Sequence, residues 1–256
     1  MAGAWRKELR RRWQLRVRPL QARRALKRLL ANPDETEHVF RVIGALSGRS
    51  FERLMRRVRR DPMGARIVKE RRNLLPRLTN REYLLGLSED TLGHQYCRFT
   101  LAEQISAEGL AAASLGVRDA ELSPLRDEDL EAQTFGERLR DMHDLWHVVT
   151  GYSRDVVGEL ALLAFTYEQT REPGIGYIVR HVERRMRKNE DRQVSEFLRE
   201  ASARGRRAGF LPAADWEALL ERPLDEVREV LQLDPPPAYE QHRTPSGEAA
   251  ALAAGA

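Results

Sequence analysis

No run of this sequence alternates polar and apolar residues as a half-buried strand would. Apolar side chains recur instead every three to four positions, so the chain can bury them only along the faces of helices. "NPDETEHVFRVIGALS" offers Asn32 as an N-cap, Pro33 at the first helical position and acids in the first turn, followed by Val39, Phe40, Ile43 and Leu46 at helical spacing. "SFERLMRRVRRD" reads as a short basic helix stopped by Asp61-Pro62. A segment starting at Thr79-Asn80 is punctuated near Gly86 and Gly93 and runs on as an amphipathic helix through Tyr96, Phe99 and Ile105. Residues 107–124 read as a loop before the helix "RDEDLEAQTFGERLRDMHDLWHVVT". "IGYIVRHVERRMRKNEDRQVSEFLREASARG" and "AADWEALLERPLDEVREVLQL" supply two more helices. From Asp234 a Pro- and Ala-rich tail has little to bury and is expected to be disordered. The predicted fold is all-α: a basic amphipathic arm over 1–30, one helical domain over 31–233 and a tail over 234–256.

Composition narrows the classes of function. The lone cysteine, Cys97, excludes an internal disulfide framework and a multi-cysteine zinc module; it fits a reducing compartment and a packing role. No stretch approaches the roughly 20 apolar residues of a membrane-spanning helix, and the basic N-terminus lacks the apolar run of a signal peptide. The net charge of +5 conceals an asymmetry: residues 1–30 hold eleven Lys and Arg against one acid, and residues 49–81 form a second basic stretch. Such blocks favour phosphates or anionic lipid headgroups. Trp5 and Trp13 among these cations, with Leu9, Leu15, Leu20, Leu26 and Leu29, fit a helix lying on a membrane; a solvated basic arm is the alternative.

The chemistry concentrates in "HDLWHVVTGYSRDVVGE", residues 143–159. His143 and His147, four apart, share one face of a helix about a turn apart, so one cation can take both imidazoles. Asp144 is adjacent and can lean towards the same ion. In one continuous helix Glu159 would lie about 18 Å beyond His147, out of reach. Gly151, however, is a candidate left-handed helix end, and Ser153 can cap a new helix beginning near Arg154. The spacing H-D-x2-H-x11-E then makes sense as an antiparallel helical hairpin closing on one divalent ion. Zn2+ is the first expectation for two imidazoles and one or two carboxylates, with Mn2+ or Fe2+ also suited. The alternative is a helix whose histidines pair with carboxylates or face solvent. Against that alternative, an unpartnered Glu159 would be costly in the apolar "GELALLAF". His38, His94 and His181 sit singly at helical positions and read as packing or surface residues. Arg138 and Arg140 precede the cluster and could attract an anionic substrate, with salt bridges as the default.

These residues resemble the coenzyme Q biosynthesis protein 4 family, which shares the H-D-x2-H-x11-E motif. "TLGHQYCRF" is similar to its L-G-x2-Y element, "RDEDLEAQTFGERLRD" to the approach to the metal helix, and "LPAADWEALLERPLDEVREVLQLDPPP" to its closing helix with Pro-Leu-x-x-Val-Arg. The likeness runs over roughly residues 30 to 237. It departs where Arg140-Asp141 replaces the family's Arg-Glu, and where Leu163 and Thr166 replace a lysine and an acid.

The resemblance implies an all-α protein whose His143, Asp144, His147 and Glu159 bind a divalent metal, usually taken as zinc, and serve as its catalytic set. Tyr96, Arg138 and Arg140 are the expected substrate contacts. The implied reaction is oxidative decarboxylation at ring C1 of a polyprenylated, 4-hydroxybenzoate-derived ubiquinone precursor, a hydroxyl replacing the carboxylate. Apolar helices around Leu101 and Leu160 would sheath the prenyl tail. The implied partners are that precursor, a membrane surface and other ubiquinone biosynthesis proteins; an apolar face could also serve a homodimer. The expected location is cytoplasmic, peripheral on the cytoplasmic face of the inner membrane in a bacterium. A non-catalytic lipid-binding scaffold and a metal-dependent hydrolase are the competing readings; nucleic-acid binding has no recognised module behind it.

Overall fold

The computed structural model describes residues 16–32, 37–105, 130–188, 192–235 and 238. The tryptophans of the basic arm, the expected loop over 107–124 and nearly all of the tail lie outside the described residues. Within them the chain is all-α, as the periodicity predicts, and the one extended pairing is an isolated bridge between Thr91 and Pro223. The helices are α1 (Pro19–Ala31), α2 (Glu37–Leu46), α3 (Ser50–Val58), α4 (Pro62–Glu70), α5 (Leu75–Thr79), α6 (Arg81–Leu85), α7 (Leu92–Ala102), α8 (Leu130–Asp141), α9 (His143–Thr150), α10 (Val156–Thr170), α11 (Pro173–Lys188), α12 (Arg192–Arg207), α13 (Trp216–Leu219) and α14 (Leu224–Val230), with a 3-10 turn at Leu211–Ala213. None of these helices is long and apolar enough to cross a membrane.

Several boundaries differ from the sequence reading, each for a local reason. The helix expected over 126–150 is broken at Met142, yet its hydrogen-bond ladder carries through: Met142 donates to Arg138 O and Trp146 to Met142 O. Gly93 does not punctuate the 79–105 segment. The break falls between Gly86 and Thr91, where Thr91 caps α7, and Gly93 sits in the first turn donating to Leu220 O at 2.8 Å. The closing helix is divided into a 3-10 turn, α13 and α14. The chain turns extended at Ala214 before Asp215 caps α13, and Pro223, which cannot donate to a helical ladder, stands before α14.

The core is built around α10, no residue of which is exposed; it buries Gly158, Ala161, Leu162, Ala164, Phe165, Glu168, Gln169 and Thr170. It packs against α12 and α11, and more lightly against α9. Gln169 ties this layer together: its Nε2 donates to Gly205 O at 2.7 Å and its Oε1 accepts from Leu211 N at 3.0 Å. The main cluster joins Trp146, Phe165, Trp216 and Leu92 to Cys97, a buried thiol whose pKa burial pushes up.

A second cluster takes in part of the basic arm. Ala25, Leu26 and Leu29 of α1 pack on Val42 of α2 and on Ile178 and Val182 of α11, so the second half of residues 1–30 is docked on the body. Leu26 and Leu29 go to protein, while Leu20, Arg23, Arg24, Lys27 and Arg28 remain outward and exposed.

The α10–α12 crossing is close because Gly205 has no side chain: a Cβ there would meet Phe165 O at 2.7 Å and Phe165 Cα at 3.0 Å. Both are backbone atoms and cannot rotate away. Gly205→Ala gains about 1 kcal/mol in helix propensity, against overpacking that typically costs about 1–3 kcal/mol. The expected outcome is net destabilisation, read as a lower urea midpoint with unchanged slope; an unchanged or higher midpoint would refute the tight crossing.

Candidate metal centre

The site is assembled by a reversal of the chain. Helix α9 ends at Gly151, whose φ of 76° is the left-handed conformation that a glycine adopts without strain, and whose N–H caps His147 O at 2.9 Å. Helix α10 starts at Val156, capped by Asp155 rather than by Ser153: Asp155 Oδ1 accepts from Val157 N at 3.0 Å and Gly158 N at 3.2 Å. A carboxylate is the better cap here because its charge also meets the positive end of the α10 dipole. Ser153 hydrogen-bonds to Asp155 and so belongs to the cap indirectly.

This reversal brings the two halves of the motif together. One potential ligand atom from each of His143, Asp144 and His147 lies within 4.8 Å of the other two. His143 Nδ1 is 3.2 Å from Asp144 Oδ1, and the two imidazole centroids are 4.9 Å apart at 77°. Glu159 returns on α10 to place Oε2 3.5 Å from His147 Nε2. Two ligands of one tetrahedral zinc ion stand about 3.4 Å apart, given bonds of 2.0–2.2 Å, so these separations suit donors converging on one cation.

The orientation of His147 is determined by what surrounds it. Its Nδ1 lies 2.9 Å from Tyr152 O, and a carbonyl can only accept, so the proton is on Nδ1. Nε2 therefore faces the cluster, where it is buried and has no hydrogen-bond partner. Phe99 of α7 stacks on the ring at 5.7 Å between centroids and 26° between planes. A buried imidazole nitrogen presented in this way, with its other nitrogen bonded to a carbonyl, is how metal-binding histidines are usually held.

The carboxylates of the site draw positive charge towards it. Burial opposes ionisation of Glu159, but attraction to His147, His143 and Arg154 holds its carboxyl down at about 2. Burial likewise opposes charging His143, yet the hydrogen bond to Asp144 and the charge on Glu159 raise its pKa above the ordinary value. In the metal-free protein the carboxylates thus attract a proton to His143, the same pull they would exert on a cation. Arg154, in the turn between the helices, lies 3.3 Å from Glu159 Oε1 and is about one-third exposed, which puts a cation at the solvent side of the cluster.

Tyr96, Arg138 and Arg140, the expected substrate contacts, are each engaged within the protein. Tyr96 is 1% exposed, inside the main core on α7. Arg138 is wholly buried and gives both terminal nitrogens to Glu217, at 2.6 and 2.7 Å. It stands about 140° around the helix from His143, and a buried guanidinium demands such a partner. Arg140 is engaged by Asp141 at 2.6 Å. Both arginines thus make the salt bridges that are their default reading. Phe99, Tyr152 and Arg154 went unnoticed in the sequence. Phe99 lies three residues from Tyr96 and Arg154 five before Glu159, spacings that point to nothing until the hairpin closes. Tyr152 acts through its backbone, which no residue type can signal.

Comparison with known proteins assigns the ancestry. Residues 17–237 match the family model for the coenzyme Q (ubiquinone) biosynthesis protein Coq4. The mitochondrial ubiquinone biosynthesis protein COQ4 of Coccidioides immitis is 32% identical over 177 residues, 69% of this chain and 59% of the relative. That of Aspergillus niger is also 32% identical over 177 residues, covering 57% of its length. The chain thus spans somewhat under two thirds of these curated relatives. In fold it resembles the crystal structure of a Nostoc punctiforme protein assigned to ubiquinone biosynthesis, with a TM-score of 0.60 at 23% identity over 84% of this chain and 98% of that one. With the family model matched over most of its length, the chain belongs to the Coq4 family of ubiquinone biosynthesis proteins.

Proposed function

We propose that this protein is a metal-dependent enzyme that replaces the C1 carboxylate of a polyprenylated, 4-hydroxybenzoate-derived ring by a hydroxyl. The observation that supports the reading most is the convergence of His143, Asp144, His147 and Glu159 from two helices, with His147 Nε2 buried and orphaned among them. In the reaction the bond from C1 to the carboxylate breaks, carbon leaves as CO2 and a C1–O bond forms. That is a two-electron oxidation of the ring, and dioxygen or another two-electron oxidant must accept the electrons.

The four residues would be the ligands of the ion, Zn2+ first and Mn2+ or Fe2+ next by donor type. Once bound, a divalent ion supplies Lewis acidity towards the ring carboxylate or a neighbouring phenolate. The protein's own groups do the rest. Tyr152 O and Phe99 hold the imidazole of His147 in one tautomer and one plane. Arg154 offers a second positive charge at the solvent side, where an anionic ring would enter. Leu101, 46% exposed two residues beyond Phe99, presents apolar surface to a prenyl chain. The outward cations of α1 and its Leu20, 73% exposed, suit contact with an anionic membrane surface.

Purified protein is expected to carry about one divalent ion per chain, measured by elemental analysis, and His147→Ala and Glu159→Gln are each expected to lose it. Wild type that takes up no ion after reloading would overturn the metal reading. Given a prenylated carboxylate precursor and oxidant, the loaded protein should release CO2 and form the phenol. Binding of ion and precursor without turnover would favour a lipid-binding scaffold for the pathway's enzymes, and hydrolysis of generic phosphate esters would favour a hydrolase.

Metal affinity should also depend on pH with a definite sign. Protonated imidazole cannot ligate, and the pKa of His143 in the metal-free protein lies above 6.5. Affinity should therefore begin to fall, as pH is lowered, before pH 6.5 is reached. Glu159, held at about 2, stays ionised throughout and adds nothing to the slope. A Zn2+ titration from pH 8 to 5.5 checks this, and flat affinity across that range would contradict it.

A further inference from the structure

The element Pro-Leu-x-x-Val-Arg, Pro223 to Arg228, takes no part in the cluster, yet its arginine reaches the helix that carries both histidines. Arg228 Nε donates to Val149 O at 3.1 Å and its Nη2 to Val148 O at 3.3 Å, while Nη1 is held by Asp225 at 2.9 Å. From α12, Arg204 Nη1 donates to the next carbonyl, Thr150 O, at 3.1 Å. Its Nη2 donates to Asp234 O at 2.9 Å and Pro235 O at 3.4 Å. The remaining carbonyl of the last four in α9, His147 O, is taken by Gly151 N–H at 2.9 Å. Every carbonyl that a helix end leaves without a partner is thus satisfied, three of them by two guanidinium groups. Arg204 is 3% exposed, and its Cζ lies 5.0 Å from the ring centroid of Tyr152, the residue whose carbonyl holds His147 Nδ1.

An eight-residue helix has little stability of its own. At its N-terminal end α9 is continued by the ladder of α8, so its C-terminal end, just past His147, is where it is free to shift. Cations there meet the negative end of the helix dipole and donate to its carbonyls at once. We propose that Arg228 and Arg204 are positioning residues of the His143–Asp144–His147–Glu159 centre. They fix the end of α9, and with it the placement of His147 against Glu159. They also register the exit of the chain at Asp234–Pro235 on the motif. The affinity readout of this inference rests on the metal reading; the histidine geometry does not.

The test uses the full chain and Zn2+ alone, titrated against a chromophoric chelator, with side-chain 15N NMR of the histidines in the metal-free protein. Arg228→Ala and Arg228→Gln should weaken Zn2+ binding about 10–100-fold, the usual effect of losing a group that orients a ligand. Arg228→Lys should recover part of that loss. In the same variants His147 should lose its uniform Nδ1–H tautomer. Val42→Ala, a cavity in the separate α1–α2–α11 cluster, controls for lost stability and should leave both readouts unchanged. Wild-type affinity and an unchanged tautomer in Arg228→Ala would overturn the proposal, as would equal weakening by Val42→Ala. Should wild type bind no Zn2+, the metal reading fails by itself, and the tautomer alone decides: a change in Arg228→Gln supports positioning and no change removes it. Should Arg228→Ala not fold, Arg228→Gln and Arg204→Lys carry the same measurements.

Discussion

The reversal between Thr150 and Val156 is the constraint on which the site depends. A continuous helix would hold Glu159 about 18 Å from His147; the turn brings their side chains to 3.5 Å. It is made from a glycine that accepts positive φ and an aspartate that caps the next helix. The turn also acts beyond changing direction. Its Tyr152 carbonyl accepts the Nδ1 proton of His147, and its Arg154 faces the second oxygen of Glu159. The connection between the two halves of the motif thus orients one half and neutralises part of the other.

Around this turn the core explains how a polar cluster survives beside so much apolar surface. Glu159 stands in the first turn of α10, and most of the helix beyond it is buried in the packing with α11 and α12. A buried carboxylate without partners would be expensive, and its ionised form is favoured here because His147, His143 and Arg154 oppose the desolvation. Two other buried polar groups along α10 are met in the same way. Gln169 is bonded to the backbone of Gly205 and Leu211, and Glu168 pairs with Arg171 and Arg206.

The basic N-terminal segment shows how composition can mislead about topology. Leucines among many cations describe a surface-lying helix and a docked amphipathic helix equally well, since both need one apolar stripe and one charged face. Val42, Ile178 and Val182 decide between them for α1, because they complete a cluster that Leu26 and Leu29 enter. The cations stay outside either way, so the electrostatic inference survives the change of partner for the stripe.

The sequence by itself determined the fold class, the ligand-type residues and the place of the hinge. These follow from local rules: helical periodicity, two histidines four apart, and a glycine before a polar turn. The resemblance also held at the level of the family. What only the tertiary structure decided is which side chains look into the site. Arg138 and Arg140 are near His143 in sequence but are consumed by Glu217 and Asp141. Phe99, distant in sequence, stacks on His147, and Arg204 and Arg228 arrive from the far end of the chain to close its helix. Spacing along a helix specifies a face, but not what packs against it; that depends on contacts between elements tens of residues apart, which no local pattern encodes.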